Sequence, residues 1–151
     1  MGLSHDELIA RGKRWLLGTM RCWVAQDNAF GDMREYADVM GWTSHHSHLI
    51  ECKTSLGDFR ADKKKRARGP ENGLGEYRWY MAEPGVISVE EVPQGWGLLE
   101  VHNHCVRRVK SAIMVQLAPW QWRHERLVVV RALSTSRGVE VSRRIWRDEH
   151  E

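Results

Sequence analysis

The chain has 151 residues, a length that fits one domain with a hydrophobic core of its own. Its hydrophobic content of 42% and charged content of 28% are ordinary for a globular protein, and no apolar stretch is long enough for a membrane-spanning helix. The formal net charge of +3 is compatible with a nucleic-acid partner but does not require one.

The N-terminal part of the chain predicts one helix followed by three strands. Ser4 or Asp6 can cap a helix in which apolar residues recur at helical spacing as far as Met20. A short strand is predicted over residues 22–25 and a turn over 27–32, where Asp, Asn and Gly accumulate. A second strand is predicted over 36–41, and a polar connection leads to a third strand over 48–54.

The remaining chain predicts a helix, more strands and a final helix. Ser55 and Asp58 fit a capping box, and the helix they open should carry a basic run and end before Pro70. A loop over 71–75, a strand over 77–81 and a strand pair over 97–102 and 106–110 follow. Pro119 begins a C-terminal helix at about 119–137. The class is therefore α/β or α+β, with a mixed central sheet flanked by helices in a single domain over 1–151.

The chain has three scattered cysteines, Cys22, Cys52 and Cys105, and their pattern indicates whether the protein is in a reducing or an oxidising compartment. Their odd number and wide spacing are typical of reduced thiols and not of a disulfide framework or a zinc site. The first residues also lack a basic region followed by an apolar one, so no secretory signal is expected. We expect a cytoplasmic protein without a membrane partner.

Residues that carry chemistry are concentrated on the second and third predicted strands. Side chains alternate faces along a strand, so Glu51 and Lys53 share a face and Cys52 points the other way. With Asp38 on the neighbouring strand, two carboxylates can hold a divalent cation beside a lysine. This set suits metal-assisted attack of water on a phosphodiester. The alternative is an exposed ion pair between Glu51 and Lys53 on an edge strand.

The order of these segments resembles the PD-(D/E)XK nuclease superfamily, whose fold is restriction-endonuclease-like. In that superfamily an acid lies on the second strand and acid-x-lysine on the third, as Asp38 and Glu51-Cys52-Lys53 do here. Residues 37–42, 51–64, 77–81, 85–87 and 90–99 further resemble small nuclease-like proteins of bacteria and phages, including MmcB-type DNA repair proteins. Two departures stand out: Ala37 replaces the proline of the superfamily name, and residues 55–68 lack the glutamine of many relatives.

The resemblance implies a metal-dependent deoxyribonuclease in DNA repair or phage DNA processing. Asp38 and Glu51 would bind Mg²⁺ or Mn²⁺, with the Cys52 carbonyl as a further ligand. Lys53 would orient the nucleophile or stabilise developing negative charge. Single- or double-stranded DNA, RNA as an alternative substrate, internal or terminal cutting, and monomer or homodimer all stay open. The alternative function is a non-catalytic nucleic-acid-binding or complex-forming module on the same fold.

A basic run follows the predicted catalytic strand, and it is predicted to contact a phosphate backbone. The alternative is a solvated helix face. Lys63 is the candidate to take the place of the missing glutamine. The run contains Lys63, Lys64, Lys65, Arg66 and Arg68.

Three further acids are candidate additions to the site, and each has a structural interpretation. Glu7 lies where the helix dipole favours an acid, Glu35 fits a surface charge, and Asp58 fits a cap. His45, His46 and His48 could suggest a transition-metal site. A polar hairpin connection is the favoured interpretation, because zinc needs a fourth ligand and a supporting shell.

Overall fold

A computed structural model describes residues 2–30, 36–65, 68–69, 71–135 and 139–141. Its helices are α1 (His5–Gly18), α2 (Leu56–Asp62) and α3 (Pro119–Thr135), with a short 3₁₀ turn at Val89–Glu91. Its strands are β1 (Val24–Phe30), β2 (Tyr36–Trp42), β3 (Ser47–Cys52), β4 (Tyr77–Ala82), β5 (Gly97–Val101), β6 (Val106–Lys110) and β7 (Val139–Val141).

The seven strands form one mixed sheet in the order β6-β5-β4-β3-β2-β1-β7. Strands β1, β2 and β3 form an antiparallel meander, whereas β3, β4 and β5 are parallel. A parallel pair needs a crossover connection, and α2 lies in the one that joins β3 to β4. The predicted class, a mixed sheet flanked by helices, is confirmed.

The sheet separates two apolar layers. Helix α1 packs on one face, where Leu8 and Leu16 meet Ile50 and Cys52 of β3. On the other face Phe59 of α2 and Val128 of α3 join Leu49. Strand β3 is central and buried along its whole length, so the interpretation of Glu51 and Lys53 as an exposed pair on an edge strand is wrong.

Local capping fixes where the first two helices begin. The Ser4 hydroxyl accepts the Glu7 N–H at 3.2 Å, and the Glu7 carboxylate accepts the Ser4 N–H at 2.7 Å. This is a complete capping box, so Ser4 and not Asp6 is the cap. The Ser55 hydroxyl accepts the Asp58 N–H at 3.1 Å, as the sequence predicts. In the described parts of the chain, no helix combines the length and the apolar character that crossing a membrane requires.

Several predicted boundaries are wrong. Strand β1 continues through Asp27 and Asn28, where a turn was expected, because Ala25 and Ala29 are buried and Asn28 tolerates a φ of 47°. Strand β3 ends at Cys52, although the Lys53 N–H still donates to the Met81 carbonyl at 2.9 Å. Strand β7 was missed, because three residues give too short a pattern. Helix α3 is described to Thr135, and residues 136–137 of its predicted range lie outside the described residues.

The described residues of the basic run are not part of helix α2. Helix α2 ends at Asp62, Lys63 is its C-cap, and the chain then turns, with the Lys65 N–H donating to the Asp62 carbonyl at 2.9 Å. The Arg68 N–H donates to the Lys65 carbonyl at 3.0 Å, which brings Arg68 back toward the sheet. The predicted basic helix face is therefore replaced by a turn.

Gly97 lies where a side chain cannot fit. A Cβ at this position would collide with the Trp79 ring and lie 2.7 Å from the Ala112 nitrogen. We expect Gly97→Ala to lower the free energy of unfolding by about 1–3 kcal/mol, the cost of overpacking. Urea denaturation measures it. Gly18→Ala is the control, since a Cβ there meets nothing within 4 Å, and it should raise stability by up to about 1 kcal/mol. Equal effects of the two substitutions would contradict this packing.

Candidate active site

The three predicted catalytic side chains lie at one end of the sheet and on one face. The register pairs Val39 with Ile50, and its continuation by one residue places Asp38 opposite Glu51. Both lie on the face that carries α2, because Ile50 faces α1. The Lys53 Nζ atom lies 3.7 Å from Glu51 Oε2. Asp38, Glu51 and Lys53 therefore form one cluster.

A pocket of about 340 Å³ opens beside this cluster. The N-terminus of α1 contributes His5 to its wall, the end of β3 contributes Lys53, and α2 contributes Asp58 and Asp62. The Lys53 side chain is 11% exposed and reaches this space, whereas Glu51 is buried behind it. A molecule entering the pocket would therefore meet Lys53 before Glu51.

Asp38 is held by the backbone of its neighbouring strand. Its Oδ2 atom accepts the Cys52 N–H at 2.8 Å and lies 3.2 Å from His5 Nε2. The Asp38 side chain is 16% exposed, so it keeps access to solvent. The sequence pattern did not reveal His5, because its approach to Asp38 depends on how α1 crosses the sheet.

Glu51 is a buried carboxylate with incomplete hydrogen bonding. Arg68 Nη2 lies 3.0 Å from Glu51 Oε1, but Oε1 accepts no hydrogen bond with acceptable geometry. Burial raises the pKa of Glu51 to about 8; the Arg68 and Lys53 cations oppose the shift, and the Asp38 and Asp62 carboxylates reinforce it. Glu51 therefore holds a proton at neutral pH when no further cation is present.

Asp62 is the main residue that the sequence pattern missed. The Arg68 guanidinium donates to both of its oxygens, from Nε at 2.7 Å and from Nη2 at 2.8 Å. Lys53 Nζ lies 3.1 Å from Oδ1, and the Tyr80 hydroxyl donates to Oδ2 at 2.9 Å. Burial opposes ionisation, but these partners outweigh it and hold the pKa of Asp62 well below its usual range. Asp62 is thus a buried anion that positions Lys53 and Arg68.

Three of the four described members of the basic run contact acidic residues of the chain. Lys63 Nζ lies 3.7 Å from Glu91 Oε1 and above the Phe59 ring, so Lys63 does not replace the missing glutamine. Lys65 Nζ lies 3.2 Å from Asp62 Oδ1. Arg68 is buried against the carboxylates, so the prediction that it contacts a DNA backbone at the surface is wrong. Lys64 is exposed, and Arg66 lies outside the described residues.

The three additional acids have separate outcomes. The Glu7 carboxylate closes the α1 capping box, which is its structural interpretation. Asp58 stands in the first turn of α2 and lines the pocket, so it is both a helix-terminal acid and a neighbour of the site. Glu35 lies outside the described residues.

The histidines do not form a metal centre. His48 is buried, stacks on Tyr77 and accepts a hydrogen bond from Trp79 Nε1 at 3.3 Å. Burial, with a smaller contribution from His46, lowers the pKa of His48 to about 4, so its ring is neutral. His46 Nδ1 lies 3.5 Å from Glu76 Oε1. Within the described ranges no group of three or more His, Cys, Asp or Glu residues is arranged to hold a metal ion.

Comparison with known proteins gives the fold and nothing finer. No family model matches the chain, and no curated protein matches it. One similar solved structure is the SPO1766 protein of unknown function from Silicibacter pomeroyi, with a TM-score of 0.65 and 23% sequence identity. The match covers 91% of this chain and 94% of that chain. At this identity the likeness concerns the fold alone.

The Asp62 contacts predict a large loss of stability when this carboxylate is removed. Asp62→Ala leaves Arg68 and Lys53 without their shared buried anion, so we expect a loss of about 3–5 kcal/mol in chemical denaturation. Asp58→Ala is the control, because Asp58 is an exposed acid in the first turn of the same helix and should cost about 1 kcal/mol or less. A loss below 1 kcal/mol for Asp62→Ala would contradict the network.

The raised pKa of Glu51 predicts a pH dependence of stability. Between its ordinary value of 4.5 and about 8 the folded protein holds a proton that the unfolded chain has lost, so this group's contribution falls as pH rises through that window. Glu51→Gln removes the titration. In EDTA, we expect the urea midpoint of the wild type to fall relative to that of Glu51→Gln between pH 5 and pH 8.5. A constant difference would mean that Glu51 is ionised throughout.

Proposed function

We propose that the protein is a Mg²⁺- or Mn²⁺-dependent nuclease that hydrolyses phosphodiester bonds in DNA. The observation that carries the proposal is the cluster of Asp38, Glu51 and Lys53 on one face of the sheet, beside an open pocket. Two carboxylates and an ammonium are the groups that metal-assisted hydrolysis of a phosphodiester requires.

The residues present fit a hard divalent cation. Mg²⁺ is commonly held by one or two carboxylates, with waters and substrate phosphate completing its shell, so a cluster of three acids is not needed. Asp38 and Glu51 supply the carboxylates, and the Cys52 carbonyl is the proposed further ligand. Glu51 Oε1 is a buried acceptor without a hydrogen bond, and a cation bound there would have to move the Arg68 Nη2 atom that lies 3.0 Å from it.

The chain's own groups have distinct parts in this proposal. A bound cation would lower the pKa of a water molecule and neutralise phosphate charge. Lys53 would donate a hydrogen bond from the pocket wall to the oxygen on which negative charge develops. Asp62 acts through Lys53, because its carboxylate fixes the ammonium at 3.1 Å. The Cys52 thiol is no rival nucleophile, since burial and the Asp38 and Glu51 carboxylates raise its pKa well above the ordinary value.

One observation favours a second candidate, a non-catalytic nucleic-acid-binding or complex-forming module. Arg68 and Lys53 already face Glu51 and Asp62, so the positive charge that a metal would supply beside Glu51 is already present. Such a module would bind DNA equally well with and without Mn²⁺ and would leave it intact. Incubation of labelled single-stranded, double-stranded and branched DNA with Mn²⁺, or with EDTA, separates the two candidates.

For the nuclease, a role in DNA repair or phage DNA processing in the cytoplasm is part of the proposal.

Lys53→Met is the sharpest test of the proposed mechanism. If Lys53 stabilises charge that develops in the transition state, cleavage should fall by roughly 10²–10³-fold while DNA affinity changes little. The rate is measured under single-turnover conditions, well below the melting temperature of the variant, because Lys53 also contacts Asp62. Wild-type cleavage by Lys53→Met would falsify this mechanism.

Glu51→Gln should fail in a different way. Loss of one carboxylate weakens cation binding, so added Mn²⁺ should restore part of the cleavage activity. No restoration is expected for Lys53→Met, because the lost ammonium is not a ligand. Titration of Mn²⁺ against the cleavage rate of both variants measures this difference. Equal responses of the two variants would contradict the assigned roles.

A further inference from the structure

A second recess lies between α1 and the turn that joins β5 to β6. It is an open groove of about 510 Å³, and Arg11, Arg14, His104 and Val106 are among its lining residues. Arg11 and Arg14 come from α1, and residues 103–106 come from the turn and the start of β6. The groove is distinct from the pocket beside Lys53, since the two share no lining residue.

Arg11 fixes the shape of this groove. Its Nη2 atom donates to the His102 carbonyl at 2.7 Å and to the Cys105 carbonyl at 3.4 Å. Its Nη1 atom donates to the Asn103 carbonyl at 3.3 Å. One guanidinium therefore ties the β5–β6 turn to α1, so the groove is formed before any ligand arrives.

Arg14 lines the groove, and Arg108 lies on β6 two residues beyond the lining residue Val106; both are available to a ligand. Both side chains are exposed, and among the described residues neither side chain makes a hydrogen bond or an ion pair. Arg108 lies on the same sheet face as Val106, because the register pairs Leu99 with Arg108 and Val101 with Val106. Lys63 and Lys65 of the basic run differ, since each already contacts a carboxylate.

We propose that this groove binds the sugar-phosphate backbone of a nucleic acid, with Arg14 and Arg108 contacting phosphates. Cations on an edge strand such as β6 also discourage pairing with another sheet, but that role does not explain Arg14.

His5 at the first pocket and Arg14 are nine residues apart on α1, which is about 14 Å along the helix axis. Roughly four base pairs span that length. The inference rests on the proposed function for the identity of the polyanion.

The test measures DNA binding in EDTA, where no cleavage occurs. Fluorescence anisotropy of a labelled duplex is recorded at several salt concentrations for wild type and for the double variant Arg14→Gln, Arg108→Gln. Loss of two phosphate contacts should reduce the slope of log affinity against log salt by about two units, similarly for different sequences. The matched control is Arg123→Gln, Arg126→Gln, which removes the same charge from α3 on the opposite face of the sheet. Its slope should stay unchanged.

Several outcomes would overturn the inference. These are an unchanged slope for the groove variant, an equal reduction for the α3 control, or retention by phosphatidylserine vesicles without DNA binding. The nuclease proposal fails separately. Groove-dependent DNA binding without cleavage in Mn²⁺ would refute the nuclease and keep the groove, whereas cleavage with groove-independent binding would do the reverse.

Discussion

The burial of two carboxylates at one end of the sheet is the constraint on which the local architecture depends. Glu51 and Asp62 are almost fully buried, and an unpaired buried ion costs several kcal/mol. Arg68 lies close enough to pair with Asp62 and to face Glu51, but only if the chain turns back after α2. The need to compensate Asp62 therefore accounts for the buried position of Arg68 after α2 ends.

Glu51 and Asp62 share the same two cations but ionise in opposite senses. Asp62 receives aligned hydrogen bonds from Arg68 and Tyr80, which stabilise its charged form. Glu51 Oε1 receives none, so burial dominates and its pKa rises to about 8. Neighbouring acids whose pKa values are shifted in opposite directions often mark an active site, because one acid then keeps a proton that the other has lost. In this protein a cation that binds Glu51 would have to displace that proton.

Short-range sequence patterns predicted the strand faces and the helix caps, but they did not predict contacts between residues far apart in the sequence. Alternation along β3 correctly placed Glu51 and Lys53 on one face, and the Ser4 and Ser55 caps follow from short sequence spacings. Asp62 could not be recognised, because its partners are Lys53 and Arg68, and nothing nearby in the sequence distinguishes a buried acid from a solvated one. His5 was missed for a similar reason, since a helix-crossing geometry brings it to Asp38.

The positions of cations in the sequence also differ from their arrangement in the fold. This arrangement decides where a polyanion can bind. In the densest run of cations in the chain, Lys63 already lies 3.7 Å from a Glu91 oxygen and Lys65 lies 3.2 Å from an Asp62 oxygen. Arg14 and Arg108 are 94 positions apart in the sequence and form no obvious pattern, yet Arg14 lines the groove and Arg108 lies on the same sheet face as its lining residue Val106. An unpaired cation that neutralises a phosphate releases a counterion condensed on the nucleic acid, whereas a cation already paired with a carboxylate must first give up that partner. Affinity for a phosphate backbone is therefore determined by which cations the fold leaves unpaired, and not by how closely they follow one another along the chain.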